Sequence, residues 1–331
     1  MMKTLRTTLM AAAALAAAPL GAQELTLYSG RGETLVAPII DTFTRETGIE
    51  VNVRYGGTAE LAILLQEEDD ASPADLYWAQ DVAALGTVAE LFAPLPDSIA
   101  ETVDPRFRDS EGRWIGTSGR ARVLIYSTER MSEEELPDTM AEAVDDRYEG
   151  RIAVPPTNGS FLAHVTALRH VAGDDFAREW LGDLAALDPV IVRNNTAAHQ
   201  AIANGEADFA ITNNYYLSRF LADDADFPVR HAQFEAGDIG NLLMTAGIGV
   251  LESSDDQEAA FRFVEFLLSP AAQQYFTGNV YEFPLAGEGI PAFTGLGVTY
   301  QEAQDNAPDV DLNALTDLEG TLEMMRDAGL L

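Results

Sequence analysis

The strongest constraint on the fold of this chain is the alternation that opens it. Leu25-Thr26-Leu27-Tyr28 reads as a strand, and Ser29-Gly30-Arg31-Gly32-Glu33-Thr34 as a glycine-bearing turn. Leu35, Val36, Ile39, Ile40 and Phe43 then recur at helical spacing until Gly48 stops the helix. Ile49 to Tyr55 alternates as a second strand, a helix runs around Ala59 to Glu67, and Asp75 to Trp78 forms a third strand after Pro73. A β-α-β-α-β order predicts a mostly parallel sheet covered on both faces. The same alternation continues. Strand material runs from Trp114 to Ser127, interrupted at Gly119, and short strands are expected at Arg151–Val154, Val190–Arg193, Asp208–Thr212 and Leu242–Leu251. Helices are expected after Ser160, over Thr196–Asn204, over Gln257–Phe276 in one piece, and over Leu315–Ala328.

The chain has 331 residues and no cysteine. Disulfides, iron–sulfur clusters, thiolate zinc sites and cysteine nucleophiles are thereby excluded, and the length suits about two domains. Residues 1–22 read as a secretory signal: Lys3 and Arg6 precede an apolar, alanine-rich run from Leu9 to Leu20, and Gly21-Ala22 supplies small residues for cleavage after Ala22. No later stretch is long and apolar enough to suggest a membrane span. An exported, periplasmic protein is expected, not inserted in the membrane and monomeric. The net charge is −34, and removal of the signal makes it two units more negative. Such a surface argues against nucleic acid or anionic membranes as partners.

In open α/β sheets, ligands bind outside the carboxyl ends of strands. The loops expected there carry Arg31, Gly32 and Glu33; Ala79 and Gln80; Asn158, Gly159 and Ser160; Asn194 and Asn195; and Asn213, Tyr215 and Tyr216. Helices begin just beyond several of them, and a helix N-terminus attracts anions. The adjacent tyrosines are the chemically pointed feature. A phenol is neutral at ordinary pH, but a small trivalent cation displaces its proton, since metal binding releases protons from ligands, and hard cations prefer oxygen donors. Ordinary packing is the competing role for such a pair. The pattern describes a cleft for a cation beside a small anion.

Several stretches of the chain resemble the ferric-ion-binding periplasmic proteins of ABC iron importers. They are Leu27-Tyr28-Ser29-Gly30-Arg31, Glu46-Thr47-Gly48-Ile49, Ser72-Pro73-Ala74-Asp75-Leu76, Ser118 to Leu124, Asn204-Gly205-Glu206 and Asn213-Asn214-Tyr215-Tyr216. The resemblance implies a type II periplasmic binding protein: two α/β lobes with mixed, mostly parallel sheets joined by hinge strands near Ser118–Arg122 and Leu243–Gly247. The expected lobes are 23–119 with 246–300, and 120–245 with 301–331. It also implies that Tyr215 and Tyr216 ligate Fe³⁺ as cargo, with carbonate or phosphate as synergistic anion, for delivery to an inner-membrane ABC permease. Arg120 and Arg31, with Asn158, Gly159, Ser160, Asn195 and Asn213, would hold that anion or support the site. A salt bridge is the alternative for Arg120, turn stabilisation for Arg31, and helix capping for Asn195 and Asn213.

The departures bear on the rest of the ligand shell. Where many family members have His this chain has Gly32, where some have Glu it has Ala79, and no third Tyr stands in Asn158–Ser160. Glu33 or Gln80 is the expected substitute. The histidines at 164, 170, 199 and 231 show no metal-ligand spacing, and the three tryptophans read as packing residues. Asp309 to Asn313 superficially resembles a calcium loop, but Ala314 and Gly320 stand at its sixth and twelfth positions, so it reads as a helix cap. A same-fold carrier of an oxyanion, polyamine or vitamin phosphate is the rival function. No hydrolase elbow, zinc-protease motif or phosphate loop is present, and no enzymatic activity is expected.

Overall fold

A computed structural model describes residues 23–287, 290 and 298–331. The expected signal segment, 1–22, lies outside the described residues. Nine strands occur among them: β1 (Glu24–Ser29), β2 (Glu50–Tyr55), β3 (Leu76–Ala79), β4 (Trp114–Ser127), β5 (Ile152–Val154), β6 (Val190–Ile191), β7 (Phe209–Asn213), β8 (Val229–Ala232) and β9 (Leu243–Val250). The helices are α1 (Glu33–Thr47), α2 (Thr58–Glu68), α3 (Val82–Thr87), α4 (Asp97–Ala100), α5 (Gly159–Ala172), α6 (Asp174–Ala186), α7 (Asn195–Asn204), α8 (Tyr215–Asp223), α9 (Gln257–Leu267), α10 (Pro270–Tyr275), α11 (Tyr300–Asn306) and α12 (Leu318–Asp327).

The strands form one path in the order β2-β1-β3-β9-β4-β7-β5-β6, with β8 also paired to β4. Both flanks are parallel: β1 pairs with β2 and β3, and β5 with β6 and β7. The centre is antiparallel. Trp114 to Ala121 of β4 pair with β9, then Arg122 to Tyr126 pair with β7 and Leu124 to Ser127 with β8. One fourteen-residue strand, buried throughout, thus runs from one half of the sheet into the other. It is not interrupted at Gly119. The irregularity is a register shift between Gly116 and Ser118, which a bulge absorbs while the strand continues. At residue 119 the chain instead receives a second neighbour, since Gly119 and Phe283 exchange backbone hydrogen bonds of 2.8 and 2.7 Å.

The expected single helix over Gln257–Phe276 is also corrected. It ends at Leu267, and Pro270 opens a new helix whose N-cap is Ser269, the Ser Oγ accepting from the Ala272 N–H. Proline suits a first helical turn and not an interior. A π-helical turn, Phe276–Val280, follows, and Tyr281 then adopts φ 64°, so the chain turns sharply into Glu282. Asp311 accepts from the Asn313 N–H and caps the 3₁₀ turn Leu312–Ala314, in keeping with the cap reading. The last helix starts later than expected, at Leu318, capped by Asp317.

Apolar residues from both sheet faces and the surrounding helices make the core. Trp78, Trp114 and Trp180 are each at most 2% exposed. Phe263 of α9 meets Phe43 of α1 edge-on at 4.9 Å and Trp78 of β3 at 6.3 Å, so three elements share one aromatic cluster. Each such side chain contributes about 1.5–3 kcal/mol by burial. This packing fixes the carboxyl end of β3, from which Gln80 and Asp81 project.

Candidate metal and anion site

The β7 strand ends at Asn213, and α8 begins at Tyr215. Asn214 ties this junction to β4 by accepting from the Ala121 N–H at 2.9 Å. The two tyrosines therefore project together, stacked with centroids 4.4 Å apart and planes 28° from parallel. Tyr215 is 3% exposed. The Arg219 guanidinium, one turn along α8, lies 5.1 Å from the Tyr215 ring and 5.5 Å from that of Tyr216. Burial first, and then the neighbouring Tyr215, push the Tyr216 phenol well up; Arg219 and Asn195 oppose the shift. The Tyr216 phenol is therefore neutral in the absence of a cation.

Both tyrosines line a cavity of about 470 Å³. Its walls come from four directions: Gly30 and Gly32 after β1; Gly57, Thr58 and Glu60 at the start of α2; Gln80 and Asp81 after β3; and Thr157 to Ser160 at the start of α5. The loops after β1 and β3 close tightly on α2. A Cβ on Gly30 would fall 2.3 Å from Thr58 Oγ1, so only glycine fits there. Thr58 Oγ1 also accepts from the Gln80 N–H at 3.3 Å.

The structure brings most of the expected residues together. Gln80, Asn158, Gly159, Ser160, Tyr215 and Tyr216 share the cavity wall. Asn158 caps α5, accepting from the Ser160 N–H at 3.1 Å. Asn213 is fully buried and connects the groups behind the wall: its Nδ2 donates to Ser160 Oγ (3.0 Å) and to the Tyr215 hydroxyl (3.4 Å), and its Oδ1 accepts from Arg122 (2.8 Å). Asn195 opens α7 and is fully buried; among the described residues neither amide atom makes a well-formed hydrogen bond, although it lies close enough to the Tyr216 hydroxyl to oppose the rise of that phenol. The cap of α7 is Asn194, not Asn195, with its Oδ1 accepting from the Ala197 N–H. Glu33 differs. It is exposed in the first turn of α1, outside the cavity wall.

The two expected arginines behave differently. Arg120 is 0% exposed, and all three of its guanidinium nitrogens lack a hydrogen-bond partner among the described residues. A buried guanidinium without a partner is costly, and the salt bridge expected as its alternative role is not made. Arg31 does make one. Its Nη1 and Nη2 donate to Glu282 at 3.1 and 2.8 Å, and its Nε is without a partner among the described residues. Ser118 Oγ donates to the same carboxylate at 2.6 Å. Although burial alone would raise it, the Glu282 carboxyl is held below its usual range by Arg31, Ser118 and Arg120.

Four functional candidates were missed in the sequence. Glu282 comes from a distant segment and has no motif around it. Arg122 stands two residues from Arg120 on the same buried strand, and burial, with Arg120 beside it, pulls it down to about 9, still charged at neutral pH. Its Nε donates to His164 Nδ1 at 3.3 Å and its Nη2 to the Ile211 carbonyl. Glu60 accepts from the Gly57 N–H at the cavity rim. Asp81, next to the expected Gln80, caps α3 through Oδ1 (3.4 Å from the Ala84 nitrogen). Burial raises its carboxyl, and Arg120 pulls it back down. Its position directly after a strand end was the available signal.

The arrangement offers hard oxygen donors, two adjacent phenols whose protons a cation can displace, and buried positive charge beside a helix N-terminus. Among the described residues no group of three or more His, Asp or Glu is placed to hold a metal ion, and none is a cysteine. Residues 38–287 match the family model for bacterial extracellular solute-binding proteins. The chain belongs to that family. This solute-binding protein is 33% identical over 336 residues to the major ferric iron-binding protein of Neisseria meningitidis, covering 99% of this chain and 100% of that one. It is 30% identical over 314 residues to the Fe(3+)-binding periplasmic protein of Serratia marcescens, covering 93% and 91% of the two chains. The solved structure of iron-bound HitA from Pseudomonas aeruginosa superposes with a TM-score of 0.87 at 32% identity, covering 93% of this solute-binding protein and 99% of HitA. No helix among its described residues is long and apolar enough to cross a membrane.

Proposed function

We propose that this protein is a monomeric periplasmic carrier of ferric iron, exported by a signal cleaved after Ala22, that delivers its cargo to an inner-membrane ABC permease and catalyses no reaction. The stacked pair Tyr215 and Tyr216, opening into a cavity with no histidine or cysteine on its wall, carries this reading. Two phenolates with Gln80 present oxygen donors to the ion. They suit Fe³⁺ over a softer cation.

The buried charge supports an accompanying anion. Among the described residues Arg31, Arg120 and Arg122 are all buried, and Glu282 is the one carboxylate shielded from solvent to the same degree. That excess is two positive charges. A ferric ion with two phenolates adds one more. Negative charge beyond Glu282 is therefore needed at the site, and carbonate or phosphate provides part of it. The α5 N-terminus, with the Gly159 and Ser160 amides and the Asn158 cap, offers it a seat, and Arg120 offers an uncommitted fork of donors. The cavity of about 470 Å³ holds an ion, a small anion and several waters.

The lobes are 23–119 with 246–300, and 120–245 with 301–331, and the paired strands β4 and β9 form the hinge between them. Ser118 to Ala121 lie opposite Leu243 to Ala246 there. Closure about this ladder brings the Gln80 loop of one lobe onto the tyrosines of the other. The test is an absorbance titration of the chelator-stripped protein with a ferric salt and bicarbonate. A phenolate-to-iron charge-transfer band that saturates at one equivalent is expected; a colourless protein without uptake would sink the proposal.

A further inference from the structure

Asp81 is a carboxylate that the family resemblance did not point to, and its two oxygens face opposite ways. Oδ1 caps α3 in its own half of the molecule. Oδ2 reaches across the cavity, 3.7 Å from the point where a Gly159 side chain would begin, at the first residue of α5 in the other half. The second half also holds Arg120, fully buried and, among the described residues, with no hydrogen-bond partner for any of its three nitrogens. Asp81 thus stands where a helix N-terminus and an uncommitted guanidinium both favour negative charge.

We propose that Asp81 is a built-in anion. Its carboxylate takes the seat at the α5 N-terminus that an exogenous anion would otherwise fill, and it supplies part of the negative charge that the cation site requires. The inference rests on the ferric-carrier reading for its purpose, but not for its first test. Because Asp81 comes from one half and α5 from the other, the same carboxylate also bridges the cleft. An incoming phosphate or carbonate must displace Asp81 or share the seat with it. Iron loading therefore depends less on external anion than it would without this side chain.

Asp81→Asn is the discriminating variant, since Asn caps a helix as well as Asp does but carries no charge. The first measurement uses no iron. Inorganic phosphate is titrated into the chelator-stripped protein by calorimetry, with unfolding midpoints recorded to establish that the variant is folded. Asp81→Asn is expected to bind phosphate at least about tenfold more tightly than the unaltered chain; equal affinities would overturn the proposal. The second measurement adds ferrous chloride, oxidised by air in carbonate- and phosphate-free buffer. The unaltered chain is expected to develop the charge-transfer band there, while Asp81→Asn is weakened about tenfold and recovers when phosphate is added. A variant that titrates like the unaltered chain without added anion would overturn the assignment. Absence of the band in both proteins under every anion condition would refute the ferric reading alone, leaving the phosphate comparison to judge Asp81.

Discussion

The Glu282 carboxylate grips the Arg31 guanidinium through two hydrogen bonds, of 3.1 and 2.8 Å, and neither side chain is reached by solvent. The partners come from the first loop of the chain and from the turn after a π-helical segment, positioned where Phe283 bridges to Gly119 of β4. Removing one member of such a pair leaves the other charge uncompensated. Glu282→Gln is expected to cost about 3–5 kcal/mol of unfolding free energy, measured by urea denaturation. A loss below about 1 kcal/mol would mean that water or another group reaches Arg31.

Arg120 should behave in the opposite sense. Its burial without a partner destabilises the empty protein, so Arg120→Met is expected to raise stability by about 1–3 kcal/mol. The same change should weaken ferric binding about tenfold, because the anion loses a charged donor. Thermal unfolding of the stripped protein and a ferric titration read the two effects separately. A fall in stability would show that Arg120 has a structural partner.

Replacement of both tyrosines by phenylalanine removes two oxygen donors and leaves the stacked rings in place. The Tyr215→Phe, Tyr216→Phe double variant is expected to keep the fold and lose the charge-transfer band. Its stability should change by no more than about 1–2 kcal/mol, since of the two hydroxyls Tyr215's accepts only a long bond from Asn213. Circular dichroism and the iron titration check this. Undiminished iron affinity would return the pair to a packing role.

Acid should destabilise the protein well above the range in which carboxylates titrate. His164 and His231 are each depressed by burial from 6.5 to about 3. The unfolded chain binds protons below pH 6.5 that the folded chain refuses until about pH 3, so stability falls as pH drops through that window. Each histidine contributes a slope of up to about 1.4 kcal/mol per pH unit. His164 Nδ1 accepts from Arg122 and its Nε2 donates to the Ile239 carbonyl, so a second proton has no place. His164→Gln keeps an acceptor and a donor at this position, and the slope in denaturation midpoint against pH should flatten by about one proton. An unchanged slope would show that His164 is not refused a proton.

The readable and unreadable parts of the chain divide on physical lines. Strand and helix periodicity are local, so β1 to β3, α1 and the delivery of Tyr215 and Tyr216 at a strand end were visible in residue order. The arginine pairing was not. Arg31 and Glu282 are 251 positions apart, and no local pattern encodes which buried acid meets which base. Asp81 was passed over because the resemblance drew attention to Ala79 and Gln80. The Ser269-Pro270 break was legible, as a capping serine followed by a proline at the first helical position, but the long apolar stripe on either side outweighed it. Glu33 looked like a donor because it follows Gly32, where many family members carry His, yet the turn after β1 sends it to solvent.

Among the described residues β3 pairs with β1 and β9, and β9 begins at Leu243. The sheet that starts at residue 24 thus lacks its inner border until most of the chain exists. Neither half can finish folding while the ribosome is still making the other, and pairing between such remote segments is slow to form. The interleaving that supplies a pair of crossing strands also keeps the newborn polypeptide open until most of it has been made.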